Sequence, residues 1–226
     1  MTYSDKDILF YLIVYKDFAR CQWCLCGLRA HFPEARVVID VDGDDDPVWA
    51  TLTADFGVEV YYGKRLFLLE NGGAIVKRAF SHHADDPQQR RFMFRIDTDT
   101  EVRRRFTYMP AWDYFGTHQK WRNFVQGGCI GLSRNAVMKI LDRGILDRPE
   151  LLNPITWQSG ISETAGERVG YGLVSFDWIV NWAMNVANIR AHNFNEIRST
   201  WKDPIPQDVN CAVAHPCKNI PVDRPI

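Results

Sequence analysis

Two carboxylates one residue apart, Asp97 and Asp99, end an apolar run made of Phe92, Met93, Phe94 and Ile96, and Arg103, Arg104 and Arg105 follow shortly after. Carboxylate oxygens converging at a strand-to-loop corner suit a hard divalent cation. Guanidinium groups suit phosphate. The combination suggests a metal-bound diphosphate. An Asp-x-Asp pair is also common as a solvated turn or a helix cap, so the surrounding elements must decide between the two.

Those elements alternate. Ile8–Val14 is an apolar run rich in β-branched and aromatic residues, as expected of a buried parallel strand. Asp17 is placed to cap a helix running to about His31, and Pro33 stops it. A second strand spans Arg36–Val41, a helix Pro47–Phe56, a third strand Val58–Tyr62, a helix Leu66–Phe80 and a fourth strand Arg91–Ile96. Strand and helix in turn predict an α/β fold, with a mostly parallel sheet covered on both faces. Ligands of such sheets bind at the carboxyl ends of the strands. Asp40 and Asp42 end the second strand and Asp97 and Asp99 the fourth, so both acidic clusters are expected on one rim.

The later half supplies further candidates. Gln126–Leu132 reads as a strand in which Gly127 and Gly128 either line a pocket or form a bulge. Ser133 is expected to cap a helix over Arg134–Arg143. The polar, proline-broken stretch Asp142–Glu167 reads as a mobile loop. Ser175 or Asp177 opens a helix through Asn188, and Asp177 is either its cap or a general base facing the pocket. Near the end an apolar triplet delivers His215, Pro216 fixes the chain after it, and Lys218 adds a cation. Neither a G-x-x-x-x-G-K-[ST] loop nor a complete dinucleotide fingerprint occurs, so a bound nucleotide must be held by a metal.

Composition bounds these ideas. The 226 residues can bury a substantial core, and 46% hydrophobic with 24% charged residues is ordinary for a globular protein. A net charge of −1 excludes a general nucleic-acid coat. Eight tryptophans suit stacking on sugars or bases as well as cores. The longest apolar run, Ile8–Tyr15, is too short to span a bilayer and lacks the flanks of a signal peptide. With no Asn-x-Ser/Thr acceptor either, the expectation is a cytoplasmic protein without its own transmembrane segment, compatible with peripheral contact to a membrane. Cys21, Cys24 and Cys26 with Cys211, His215 and Cys217 offer zinc-type ligands, but C-x2-C-x-C lacks paired-knuckle spacing and free cysteine is commonly buried.

Taken in order, the Leu-Ile-Val-Tyr strand, Val-Val-Ile-Asp-Val-Asp-Gly, Arg-Ile-Asp97-Thr-Asp99-Thr, Gly-Gly-Cys-Ile-Gly-Leu-Ser, Phe176-Asp177-Trp178 and Ala-His215-Pro-Cys-Lys218 resemble a glycosyltransferase of the GT-A fold, over roughly residues 8–218. The resemblance implies one Rossmann-like domain over 1–226: a nucleotide-sugar-binding half (1–105), an acceptor-binding half (106–218) and a frayed tail (219–226). It implies Mn²⁺ or Mg²⁺ on Asp97, Asp99 and His215. Asp97 would also touch the donor, as would Lys218. Asp40 or Asp42 would read the nucleotide, with a UDP-sugar favoured. Asp177 would be the base acting on a glycan or lipid-linked acceptor. The family usually has two adjacent acids where this chain has Phe176-Asp177.

Two other classes compete. A sugar-1-phosphate nucleotidyltransferase shares carboxylates, metal and an α/β sheet, but its glycine-rich amino-terminal loop has no counterpart in Lys16–Arg20. A non-enzymatic interaction module would be stapled by zinc on the cysteines and His215. Tightly bound zinc supports the module, and weak, donor-dependent Mn²⁺ supports the transferase.

Overall fold

The computed structural model describes residues 2–66, 68–119, 123–148, 176–200 and 203–217, without the side chains of 68–71. The alternation expected of an α/β fold is present. Strands β1 (Ile8–Val14), β2 (Arg36–Asp42), β3 (Glu59–Gly63) and β4 (Phe92–Ile96) alternate with helices α1 (Phe18–His31), α2 (Val48–Phe56) and α3 (Leu68–Ala84). After β4 come β5 (Glu101–Val102), β6 (Tyr114–Gln119), β7 (Phe124–Ser133), α4 (Arg134–Asp142), α5 (Phe176–Val186), β8 (Ala191–Asn193), β9 (Ile197–Ser199) and β10 (Val213–His215).

The main sheet has seven strands in the order β3-β2-β1-β4-β7-β6-β8, and β5-β10-β9 form a small second sheet. The pairs β1/β2, β1/β4, β2/β3 and β6/β8 are parallel. Among the described strands of the main sheet only β7 runs against its neighbours, β4 and β6. One face of the sheet packs α3, α4 and α5 through Ile75, Phe80, Ile140 and Ile179. The other packs α1 and α2 through Leu25, Leu28 and Leu52, along with Phe106, Phe194 and Val213. Covering both faces explains why β1 reads as a continuous apolar run and β4 as one interrupted only by Arg95. Among the described residues no helix is long and apolar enough to cross a membrane.

Several local expectations are refined. Ser133 caps α4, its Oγ accepting the Ala136 N–H at 3.1 Å. Asp17 precedes α1 but makes no side-chain cap; its Oδ2 instead accepts the Thr98 hydroxyl at 2.6 Å. Strand β6 was not legible as a strand, because Tyr-Phe-Gly-Thr-His-Gln carries neither an apolar run nor clean alternation. The segment after α4 begins as a packed turn rather than a free loop. Ile145 and Leu146 sit in the core as a 3-10 turn, since two adjacent apolar side chains gain more from burial than from solvent. The rest of the expected loop, 149–167, lies outside the described residues, as does Ser175.

His83, at the end of α3, is fully buried with its Nε2 2.8 Å from the Arg90 carbonyl oxygen. Burial pulls its pKa down from 6.5 to about 4. Between those values the unfolded chain binds a proton that the folded chain refuses, so stability falls as pH drops through this window. We expect chemical denaturation to show a loss of about 2 kcal/mol from pH 7 to pH 5 attributable to this group. His83→Gln should flatten that slope, and an unchanged slope in the variant would assign it elsewhere.

Candidate metal centre

Asp97 is the first residue beyond β4. Its N–H donates to the Gly128 carbonyl at 2.8 Å, and its own carbonyl accepts the Thr100 N–H at 3.1 Å, closing a tight turn around Asp99. The chain then enters β5, which pairs antiparallel with β10 in the register Val102↔Val213, Glu101↔Ala214. One step further along that ladder lies His215, which therefore stands beside the turn. Its Nε2 is 3.1 Å from Asp99 Oδ1 and 3.4 Å from Asp97 Oδ2. The Cys217 N–H donates to the Asp99 carbonyl at 2.7 Å and locks the far side.

The group Asp97, Asp99 and His215 offers one ligand atom per residue, all within 4.8 Å of one another. Two carboxylate oxygens and an imidazole nitrogen form a donor set that could hold a divalent metal ion. Burial alone would raise the pKa of Asp99, but the hydrogen bond and charge of His215, with a backbone hydrogen bond and the charge of Arg20, together hold the carboxyl below its ordinary value. Asp97 has a second tie, since Arg95 Nη2 lies 2.5 Å from its Oδ1 and leaves Oδ2 for the cluster. Arg95 was missed in the sequence. The available signal was a charge inside an otherwise apolar, buried strand.

Strand β7 explains how His215 fits. His118 pairs with Val125 and Gly116 with Ile130, leaving Gln126, Gly127, Gly128 and Cys129 opposite Thr117 alone. This bulge pushes backbone to the carboxyl rim of β4, a placement bulges often serve. Gly128 has φ +92°, and a Cβ there would lie 2.1 Å from His215 Nδ1. The imidazole is thus seated on bare backbone; its Nδ1 is buried without a hydrogen-bond partner. A Cβ on Gly127 would lie 2.7 Å from Asp177 Oδ2. The glycine pair is therefore both a bulge and a lining, and it brings Asp177 and His215 against consecutive residues of one strand.

Asp177 is in the first turn of α5 rather than its cap; it is 9% exposed, and its Oδ1 accepts the Trp178 N–H at 3.0 Å. It belongs to the α5 layer on one face of the sheet, while β10 carries His215 in from the other. Asp42 ends β2 at the rim but is 4% exposed, and its Oδ1 accepts the Leu66 N–H and an Arg78 N–H. Asp40 is not on the rim. It is fully buried, with Oδ2 accepting from Tyr11 Oη at 2.6 Å and Arg78 Nε at 2.7 Å. Strand β2 continues two residues beyond Asp40, which leaves that carboxylate no exposed oxygen to offer a base or ribose.

The three arginines after the Asp-x-Asp turn are spent on structure. Arg103 pairs with Glu101, Arg104 with Glu196 and Arg105 with Asp5. Lys218 lies outside the described residues. Among the described residues the cysteines do not join a group with metal-ligand geometry; Cys21, Cys24 and Cys211 are buried and Cys26 is exposed. Neither family models nor curated protein sequences match this chain.

Proposed function

We propose that this chain is a metal-dependent glycosyltransferase of the GT-A type, moving a sugar from a nucleoside-diphosphate donor, a UDP-sugar by preference, to a hydroxyl of a glycan or lipid-linked acceptor. The observation that carries the reading is the convergence of Asp97, Asp99 and His215, brought together from distant parts of the chain at the carboxyl rim of a mostly parallel sheet. That rim is where open α/β sheets take ligands. A divalent ion held there supplies Lewis-acid stabilisation of the departing diphosphate.

The residues of the chain do the rest. Arg95 orients Asp97, and Gly128 with Cys217 fixes the turn and the imidazole. At the end of β1 on the same rim, Tyr15 is exposed with the Arg65 guanidinium 3.2 Å from its ring centroid, a flat surface suited to stacking. Asp177 is the carboxylate for activating the acceptor hydroxyl, which requires hydrogen-bond reach to that hydroxyl in the loaded enzyme.

A thermal-shift screen of UDP, GDP and their sugars, with and without Mn²⁺, tests the reading on wild type and Asp99→Ala. A ligand that binds only the native state adds about 2.7 kcal/mol of stability at a hundred-fold excess over Kd. The expected result is a shift that needs Mn²⁺, favours one base and disappears in Asp99→Ala. A folded wild type that no nucleotide shifts under any condition refutes the transferase.

A further inference from the structure

A cavity of about 490 Å³ opens beside the metal centre, between α1, β5 and the loop preceding β10, and includes Trp23, Glu101, Pro206, Gln207, Pro216 and Cys217 in its lining. Its volume lies in the range of small-molecule sites. Pro216 and Cys217 follow His215 directly, so one wall continues from the metal ligand. The opposite wall is the 204–207 loop, which Arg103 holds in place. Arg103 Nη2 donates to the Ile205 carbonyl at 2.7 Å, and its Nη1 to the carbonyls of Pro206 at 2.8 Å and Val209 at 3.3 Å.

The donors and acceptors in this lining are unevenly spent. Arg103 gives its Nε–H to Glu101 Oε2 at 2.7 Å, in addition to the three carbonyls. The Gln207 amide nitrogen donates to the same carboxylate, at 3.1 and 3.2 Å. Among the side chains of this lining the oxygen acceptors are the remaining lone pairs of Glu101 and the Gln207 carbonyl, and the Trp23 indole N–H is a donor. The Glu101 charge is already balanced by Arg103, and the Arg103 guanidinium is occupied, so an anion finds little to pair with. The indole of Trp23 and the rings of the prolines supply apolar planes.

A ligand matching these walls is neutral, rich in hydroxyl donors and apolar on one face. We propose that this cavity binds a neutral pyranose ring, stacked on Trp23 with hydroxyls donated to Glu101 and Gln207. A phosphate meets only the engaged Arg103 guanidinium as a cation in this lining, and uracil, which presents more acceptors than donors, matches the Glu101 and Gln207 oxygens poorly. In a glycosyltransferase the pocket would hold a sugar unit of a glycan acceptor other than the one whose hydroxyl meets Asp177, an assignment that rests on the function proposed above; the pocket's own chemistry does not need the metal.

The test is saturation-transfer NMR on the full chain, without divalent ions, using the methyl pyranosides of glucose, galactose, mannose and N-acetylglucosamine, with uridine and inorganic phosphate as comparison probes. The expected result is transfer to at least one pyranoside, lost in Trp23→Ala and in Gln207→Arg, whose guanidinium would occupy the Glu101 lone pairs. Gln207 is exposed, so the second variant retains the fold even if Trp23→Ala does not. Asp99→Ala should keep the signal. No transfer to any pyranoside, or transfer that survives Gln207→Arg in folded protein, overturns the proposal, and transfer to uridine alone assigns the cavity to a base. Pyranoside binding in a protein that shows no Mn²⁺-dependent nucleotide shift leaves the pocket standing while the transferase falls.

Discussion

Replacing Gly128 by alanine is expected to cost both stability and metal. The backbone there has φ +92°, which an L side chain adopts only under strain, and the new methyl would sit 2.1 Å from His215 Nδ1 and 2.2 Å from Cγ. Strain of this kind costs about 1–3 kcal/mol. The imidazole cannot yield without leaving the carboxylates, because its ring is trapped between the bulge and the Asp-x-Asp turn. Disturbing the support of a metal ligand typically lowers affinity about 10- to 100-fold. Calorimetric titration of Mn²⁺ into Gly128→Ala should therefore show at least a tenfold weaker Kd alongside a lowered Tm. Wild-type Mn²⁺ affinity in a destabilised Gly128→Ala protein would mean that His215 is not a ligand.

The second large effect concerns Arg78. Its Nε lies 2.7 Å from the fully buried Asp40 and its Nη2 3.2 Å from Asp42, so one guanidinium bridges both carboxylates at the end of β2, and Arg65 Nε stands 3.8 Å from Asp42 as a second cation. Burial raises the pKa of Asp40 even though Tyr11 and Arg78 stabilise its charged form. Removing the cation from a buried pair leaves a charge without compensation, at a cost of about 3–5 kcal/mol. Urea denaturation of Arg78→Met should show a loss of that size. Adding Asp40→Asn should recover much of it, because the carboxamide oxygen can still accept the Tyr11 hydroxyl without carrying charge. A loss below about 1 kcal/mol would show that Asp40 is already neutral, and lost nucleotide binding with stability intact would return it to the donor site.

These two expectations sit on either side of what was legible in the chain. Asp97 and Asp99 were conspicuous because a buried apolar strand stops at them, and His215 because an apolar triplet leads to it. Both are local signals. Asp40 looked equivalent to Asp42, since residues of like chemistry two positions apart on a strand differ only in how far they stand from its end. Tyr11 and Arg78 decide that difference, and both come from elements that only packing brings near. The arginines after Asp99 were misleading for the same reason: their partners Glu101, Asp5 and Glu196 include residues about a hundred positions away, and spacing says nothing of such pairs.

By itself, the sequence determined the alternation of strands and helices through β4, the two-sided burial of β1 and β4, the cap on α4 and the carboxylates where β4 ends. Each follows from side-chain period, backbone preference or hydrogen bonding within a few residues. Tertiary structure alone decided that β7 runs antiparallel, that its bulge seats His215 on Gly128, that β6 joins the sheet and that Ile145 and Leu146 enter the core. These depend on which surfaces meet once the chain has collapsed, and that is settled by close packing and by the need to pair every buried charge.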